Sequence, residues 1–318
     1  MAGEVIGRRA LLNTGLATLI GLQMAGASSV TAQEIPNSSG TELPRFKAPA
    51  NAADCHMHIY DPVRFPMPPS PRVAPENAAL PQYRLLQKRI GTTRVVIVTP
   101  RNYATRNEAT ITAIRELGRN ARGVAVLHPD IADPELKRLD AAGIRGIRFS
   151  LGDPASAVVT PDMIEPLAKR IAPLGWHIQF NMAGDQIVAL SDVLRRLTVP
   201  MVFDHLGNPP LPAGTTHASH AVIRRLLDEN RAWVKLSGAY LNSKVGPPYP
   251  EATQIAQDFI KAAPERLVWG SDWPHPTSPG PRKPDDAALF DLLLTWAPDE
   301  QTRHRILVDN PERLYGFS

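Results

Sequence analysis

After residue 50 the chain alternates short apolar runs with amphipathic stretches. Eight runs read as strands: Ala53–Ile59, Arg94–Thr99, Gly123–Leu127, Gly146–Phe149, His177–Phe180, Met201–Asp204, Trp233–Leu236 and Leu267–Trp269. They are rich in Val, Ile, Phe and Trp, which fit a buried pleated surface. Between them lie helical patterns. Asn107–Leu117 carries Ile111, Ile114 and Leu117 at helical spacing, and Pro161–Ala172 and Ser219–Glu229 repeat the design. Strands alternating with helices imply parallel pairing and right-handed crossovers. Eight such units predict a single (β/α)8 TIM-type barrel over residues 51–318, closed so that no strand edge is exposed. Its active site is then expected where the strands end.

The segment before the barrel has its own pattern. Arg8-Arg9 precedes an apolar stretch from Thr14 to Val30, with small residues before Gln33. Residues 1–32 are expected to be a twin-arginine export signal, cut after Ala32 or Ala27, and the mature protein is expected in the periplasm. The stretch is too short and too glycine-rich to read as a membrane span. Residues 33–50, with Pro, Ser, Asn and Gly, read as a flexible linker.

Composition narrows the classes further. Hydrophobic residues make up 43% of the 318, enough for a full core. The net charge of +4 comes from scattered basic residues with no basic stripe, which argues against nucleic acid as a partner. The single cysteine, Cys55, excludes an intramolecular disulfide and reads as a small buried apolar residue.

The candidate chemistry lies at the strand ends. The first strand ends Asp54-Cys55-His56-Met57-His58. Alternation puts His56 and His58 on the inner face and Cys55 and Met57 on the outer one. The sixth ends in Asp204-His205-Leu206-Gly207, and the eighth runs into Gly270-Ser271-Asp272-Trp273-Pro274-His275. An aspartate after so apolar a run needs a partner or a place at the mouth. Arg148, inside the fourth strand, faces either a substrate anion or a salt bridge lining the barrel. Arg101 and His128 follow the second and third strands. Gln179 and Asn181 end the fifth, and Ser237 and Tyr240 follow the seventh. His177, His217, His220 and His304 read as outside the site.

These residues resemble the amidohydrolase superfamily, in its amidohydrolase-2 branch. The likeness rests on Cys-His-Met-His-Ile-Tyr-Asp-Pro, Arg-Gly-Ile-Arg-Phe, Phe-Asp-His-Leu-Gly, Val-Trp-Gly-Ser-Asp-Trp-Pro-His-Pro and Asp-Asn-Pro-Glu-Arg-Leu-Tyr, in that order between residues 55 and 315. Within the branch the pattern is similar to lactonases of pyrone dicarboxylates and, around Leu-Ser-Gly-Ala-Tyr-Leu-Asn-Ser, to sugar-acid lactone isomerases. The resemblance implies Asp272 as general base, with His56, His58 and His205 polarising a substrate carbonyl. It implies Arg148 on the substrate carboxylate. From their places at the strand ends, Arg101, Gln179, Tyr240 and His275 are expected as further substrate contacts. The loops after the fourth and seventh strands lack the arginines the lactonases use, so a less charged substrate, or a grip from Arg101, is expected. The expected partner is a small anionic lactone or carboxylate; the alternatives are a lactone isomerase and a metal-dependent amidohydrolase or decarboxylase. His56, His58, His205 and Asp272 can fill one Zn2+ shell. The metal-dependent members add a histidine at the end of the fifth strand, where this chain has Gln179 and Asn181, so a site needing no metal is favoured.

Overall fold

A computed structural model of the protein describes residues 1, 3, 34–278 and 282–318. The expected export signal, with Arg8, Arg9 and both cleavage points, lies outside the described residues. Gln33–Ser318 forms one compact unit. Among the described residues no helix is long and apolar enough to cross a membrane.

Eight strands form one parallel sheet in sequence order: β1 (Ala53–Met57), β2 (Arg94–Val98), β3 (Ala121–Ala125), β4 (Ile144–Ser150), β5 (His177–Asn181), β6 (Met201–Phe203), β7 (Ala232–Leu236) and β8 (Leu267–Trp269). Helices separate them, as in a (β/α)8 barrel. The helices Glu108–Leu117, Ile164–Ile171 and Ala218–Asp228 stand where the apolar spacing predicted them. β3 starts two residues earlier than its apolar run. Arg122 belongs to the strand, and its guanidinium donates to the carbonyls of Tyr315 and Gly316 near the chain end.

No ladder pair joins β8 to β1 among the described residues; the segment after β8 closes the ring. The Asp272 N–H donates to His56 O at 2.7 Å, and the His58 N–H donates to Trp273 O at 2.9 Å. Gly270 permits this approach: a Cβ there would lie 2.6 Å from His56 Cβ and 2.8 Å from its nitrogen. Asp54 braces the seam, accepting from the backbone N–H of His56 and Ser271 and from the Ser271 hydroxyl.

β1 also contains a bulge. Asp54 pairs with Val95 and Met57 with Ile97, so Cys55 and His56 together stand opposite Val96. Both therefore face inward, which corrects the outward placing of Cys55 by simple alternation. Cys55 packs with Val96, Val98, Val202 and Val268, while Met57 joins the outer core against the helices. The inner apolar cluster fills the lower barrel and is closed by Tyr315 and Phe317.

Residues 34–50 are not a loose linker. Ile35 and Ala48 are buried, Phe46 stacks on Phe290 at 4.5 Å, and Arg89 donates to the carbonyls of Glu42 and Gly40. The turn-forming composition describes the backbone path correctly but hides these anchors.

Candidate active site

Four groups converge at the upper end of the barrel. His56 Nε2 and His58 Nε2 lie 3.3 Å apart, and each is 3.6 Å from Asp272 Oδ1. His205 Nε2 is 3.8 Å from the same oxygen. The bulge aims His56, the residue just past β1 supplies His58, and the turns after β6 and β8 supply His205 and Asp272. His205 and Asp272 both adopt left-handed backbone, with φ of 48° and 61°. Such conformations are costly for non-glycine residues and cluster at functional sites. Other bonds fix the rings: His58 Nδ1 lies 2.7 Å from Val98 O and His205 Nδ1 lies 3.0 Å from Ser237 Oγ. The Tyr240 hydroxyl donates to Asp272 Oδ2. Burial pushes the Asp272 carboxyl up, but His205, then His58 and His56, outweigh it and hold it well below the usual carboxylate range.

A buried polar layer lies just beneath. Asp204 Oδ2 accepts from Arg148 Nε at 3.0 Å and from Gln179 Nε2 at 3.1 Å. Lys235 Nζ lies 2.7 Å from Gln179 Oε1, 2.8 Å from Cys55 O and 3.2 Å from His56 Nδ1. Burial alone would raise the Asp204 carboxyl; His56, Arg148 and Lys235 hold it well below its ordinary range. Burial lowers His56 and His205, against the pull of the neighbouring Asp204 and Asp272 carboxylates.

Above these groups opens a pocket of about 300 Å³, lined by His58, His205, Asp272 and Arg148 at its base. Its upper wall carries Arg72 and Arg101. Arg101 donates to Asp153 O and Ser156 Oγ, and Arg72 donates to Asp153 Oδ2 at 2.9 Å. Burial, then Arg72, draws Arg101 down to about 10, which leaves it charged at neutral pH. A small anion entering here meets three guanidinium groups and the Asp272 carboxylate.

The amidohydrolase family model matches residues 53–317, almost the whole barrel. The chain belongs to the amidohydrolase family. This family member is 34% identical over 274 residues to 4-sulfomuconolactone hydrolase of Rhizobium radiobacter, spanning 85% of this chain and 92% of that one. It is 31% identical over 282 residues to D-galactarolactone isomerase of Agrobacterium fabrum, spanning 88% and 96%. The crystal structure of a probable 2-pyrone-4,6-dicarboxylic acid hydrolase from Acinetobacter baumannii, with citric acid bound, matches with a TM-score of 0.72. The identity is 27%, over 84% of this amidohydrolase and 100% of that chain.

The structure brings His58, His205, Asp272, Arg148 and Arg101 to one pocket, with His56 wholly buried against His58 and Asp272. Two expected substrate contacts lie elsewhere. Gln179 is wholly buried between Lys235 and Asp204, and His275 is held behind Tyr240 with Nε2 3.1 Å from Asp286. Neither lines the pocket; Tyr240 reaches the site through Asp272. His128 bonds Val158 O. Sequence reasoning missed Lys235, Asp204 and Arg72. The rule that singled out Arg148, a cation inside a buried strand, applies equally to Lys235. Arg72 sits in the proline-rich loop after β1, where nothing in the sequence marks it.

Two overlapping sets can hold a metal ion: His56, His58 and Asp272, and His56, Asp204 and His205. In the second, Asp204 Oδ2 is already engaged by Arg148 and Gln179. In the first, the 3.3–3.6 Å separations suit a tetrahedral shell with bonds of about 2.0–2.1 Å, provided every histidine turns a lone pair inward. At His56 that condition turns on the tautomer, since its Nδ1 lies 3.2 Å from Lys235 Nζ.

Proposed function

We propose that this amidohydrolase opens the lactone ring of a small anionic substrate with water. The convergence of three imidazole Nε2 atoms on Asp272 Oδ1, at the base of an arginine-lined pocket, carries this reading. Asp272 takes a proton from water, and the water oxygen bonds to the lactone carbonyl carbon. Negative charge grows on the carbonyl oxygen, where fixed donors lower the barrier. The ring C–O bond then breaks, and the departing oxygen leaves as an alcohol with the proton Asp272 held. Arg148 grips the substrate carboxylate through its terminal nitrogens, because its Nε is committed to Asp204. Arg101 supplies a second grip from the loop after β2. We read the reaction as needing no metal.

A panel of sulfonated muconolactone, pyrone dicarboxylate and galactarolactone tests this in ¹⁸O-labelled water. The expected product is a ring-opened acid with one labelled carboxylate oxygen per turnover. An isomeric lactone without label would replace hydrolysis by isomerisation, and no turnover of any member would remove lactones as the substrate class. We further propose export to the periplasm through Arg8 and Arg9. Replacing both by Lys should hold the precursor in the cytoplasm; normal export of that variant would refute the signal.

A further inference from the structure

Lys235 has no task in the hydrolytic scheme, yet its ammonium sits directly under His56. It has three protons and no lone pair. Its three nearest acceptors are Gln179 Oε1 at 2.7 Å, Cys55 O at 2.8 Å and His56 Nδ1 at 3.2 Å. The first is fixed as an acceptor because the same amide donates its Nε2 to Asp204. The second is a carbonyl and can only accept. A proton on His56 Nδ1 would point at another donor, so Nδ1 has to accept as well.

We propose that Lys235 is a positioning residue that donates to His56 Nδ1 and so keeps the His56 proton on Nε2, facing His58 Nε2 under the base of the pocket. The rest of the network agrees. His58 Nδ1 lies 2.7 Å from Val98 O and must donate to it, which leaves a lone pair on His58 Nε2. That lone pair faces the His56 Nε2–H at 3.3 Å. The protons thus run one way, from Lys235 through His56 and His58 to Val98. The competing arrangement has His56 Nδ1–H donating to Asp204 Oδ1, 3.2 Å away. That oxygen is buried and has no hydrogen bond of acceptable geometry. The Asp204 carboxylate, with Oδ1 3.8 Å from Lys235 Nζ, favours the ammonium form of the lysine.

One consequence concerns metals. Both candidate metal sets include His56. With Nε2 protonated and Nδ1 occupied by Lys235, His56 offers a metal no free lone pair. Lys235 therefore holds the site in its metal-free form.

Histidine-¹⁵N spectra of the substrate-free protein test this, with His56 assigned as the signals missing from His56→Gln. The wild type is expected to carry the His56 proton on Nε2. In Lys235→Met it is expected to shift to Nδ1, towards Asp204. The kcat should fall by roughly 10–100-fold, the scale of a lost orienting partner of an active-site histidine, with KM little changed. A wild-type proton on Nδ1 would overturn the proposal, as would a Lys235→Met protein that keeps both tautomer and kcat. The wild-type spectrum decides even if the variant does not fold. The expected fall in kcat rests on the hydrolytic reading, but the tautomer is read without substrate. A lactone panel that stays closed would remove hydrolysis and leave the tautomer standing.

Discussion

The lower and upper halves of the barrel interior are built from the same strands and follow different rules. Below, Ala53, Val96, Val124, Val202, Trp233 and Val268 pack into an apolar plug closed by Tyr315 and Phe317. Charges at that end, Arg94 and Arg122, reach out to Glu312 and to carbonyls of the chain end. Above, polar side chains point inward from most strands, and each buried charge meets another: Arg148 and Lys235 with Asp204, and the imidazoles with Asp272. On β7 the change takes a single step, from Trp233 to Lys235. The lower half holds the barrel together by burial. The upper half carries charge that would be costly alone, and it carries it where a substrate can use it.

That contrast can be broken most sharply at Asp272. Asp272→Asn keeps the shape but cannot take a proton from water at neutral pH, so kcat should fall by about 10²–10⁴-fold. Its denaturant midpoint should move little. In the wild type, the depressed carboxyl keeps the base ionised, so the Asp272-dependent rate should hold as pH is lowered to the ordinary carboxylate range near about 4. Its contribution to stability is likewise present above the unfolded value of about 3.9 and is lost only as pH falls through the lower folded value. A near-normal rate in a folded Asn variant would remove Asp272 from the chemistry.

The opposite pattern is expected at Trp233. Trp233→Ala empties part of the plug and should cost about 3–5 kcal/mol of stability in urea titrations, while molecules that remain folded keep their kcat. A collapse of kcat without lost stability would show that the two halves are not separable. Arg148→Met should come next. A charged hydrogen bond is worth about 1.5–3 kcal/mol, so KM should rise by roughly 10–150-fold, with a smaller rise in Arg101→Met. Unchanged KM in the Arg148 variant would leave it only its salt bridge to Asp204. The smallest effect is expected from prolonged chelation, which should leave activity intact. Loss on chelation with recovery on added zinc would turn His56 and His58 into ligands.

The sequence made the contrast only partly legible. The eight strands and the polar residues at their ends could be read because burial selects Val, Ile and Phe, and because histidine and aspartate are conspicuous after such runs. What escaped depended on register and on contacts distant in sequence. The β1 bulge turns Cys55 inward against strict alternation, since one extra residue stands opposite Val96. Lys235 looked like an ordinary strand position because its partners, Cys55 and Gln179, lie 180 and 56 residues away. His275 follows Asp272 closely in sequence, but the left-handed backbone at both residues turns it towards Asp286. Arg72 reaches the pocket only because Asp153 and Ser156, across the mouth, hold its guanidinium.

The seam between β8 and β1 bears on how such a site could change over generations. The bonds that fasten the ring are donated by Asp272 and His58 and accepted by His56 and Trp273, so the reactive residues are also the clasp. A backbone shift that retuned the base would loosen the closure, and selection would meet lost stability before it met a new reaction. The loops carrying Arg72, Arg101 and Asp153 hold no such fastening and are free to vary. Variation among descendants should therefore gather first in those loops and last at the seam.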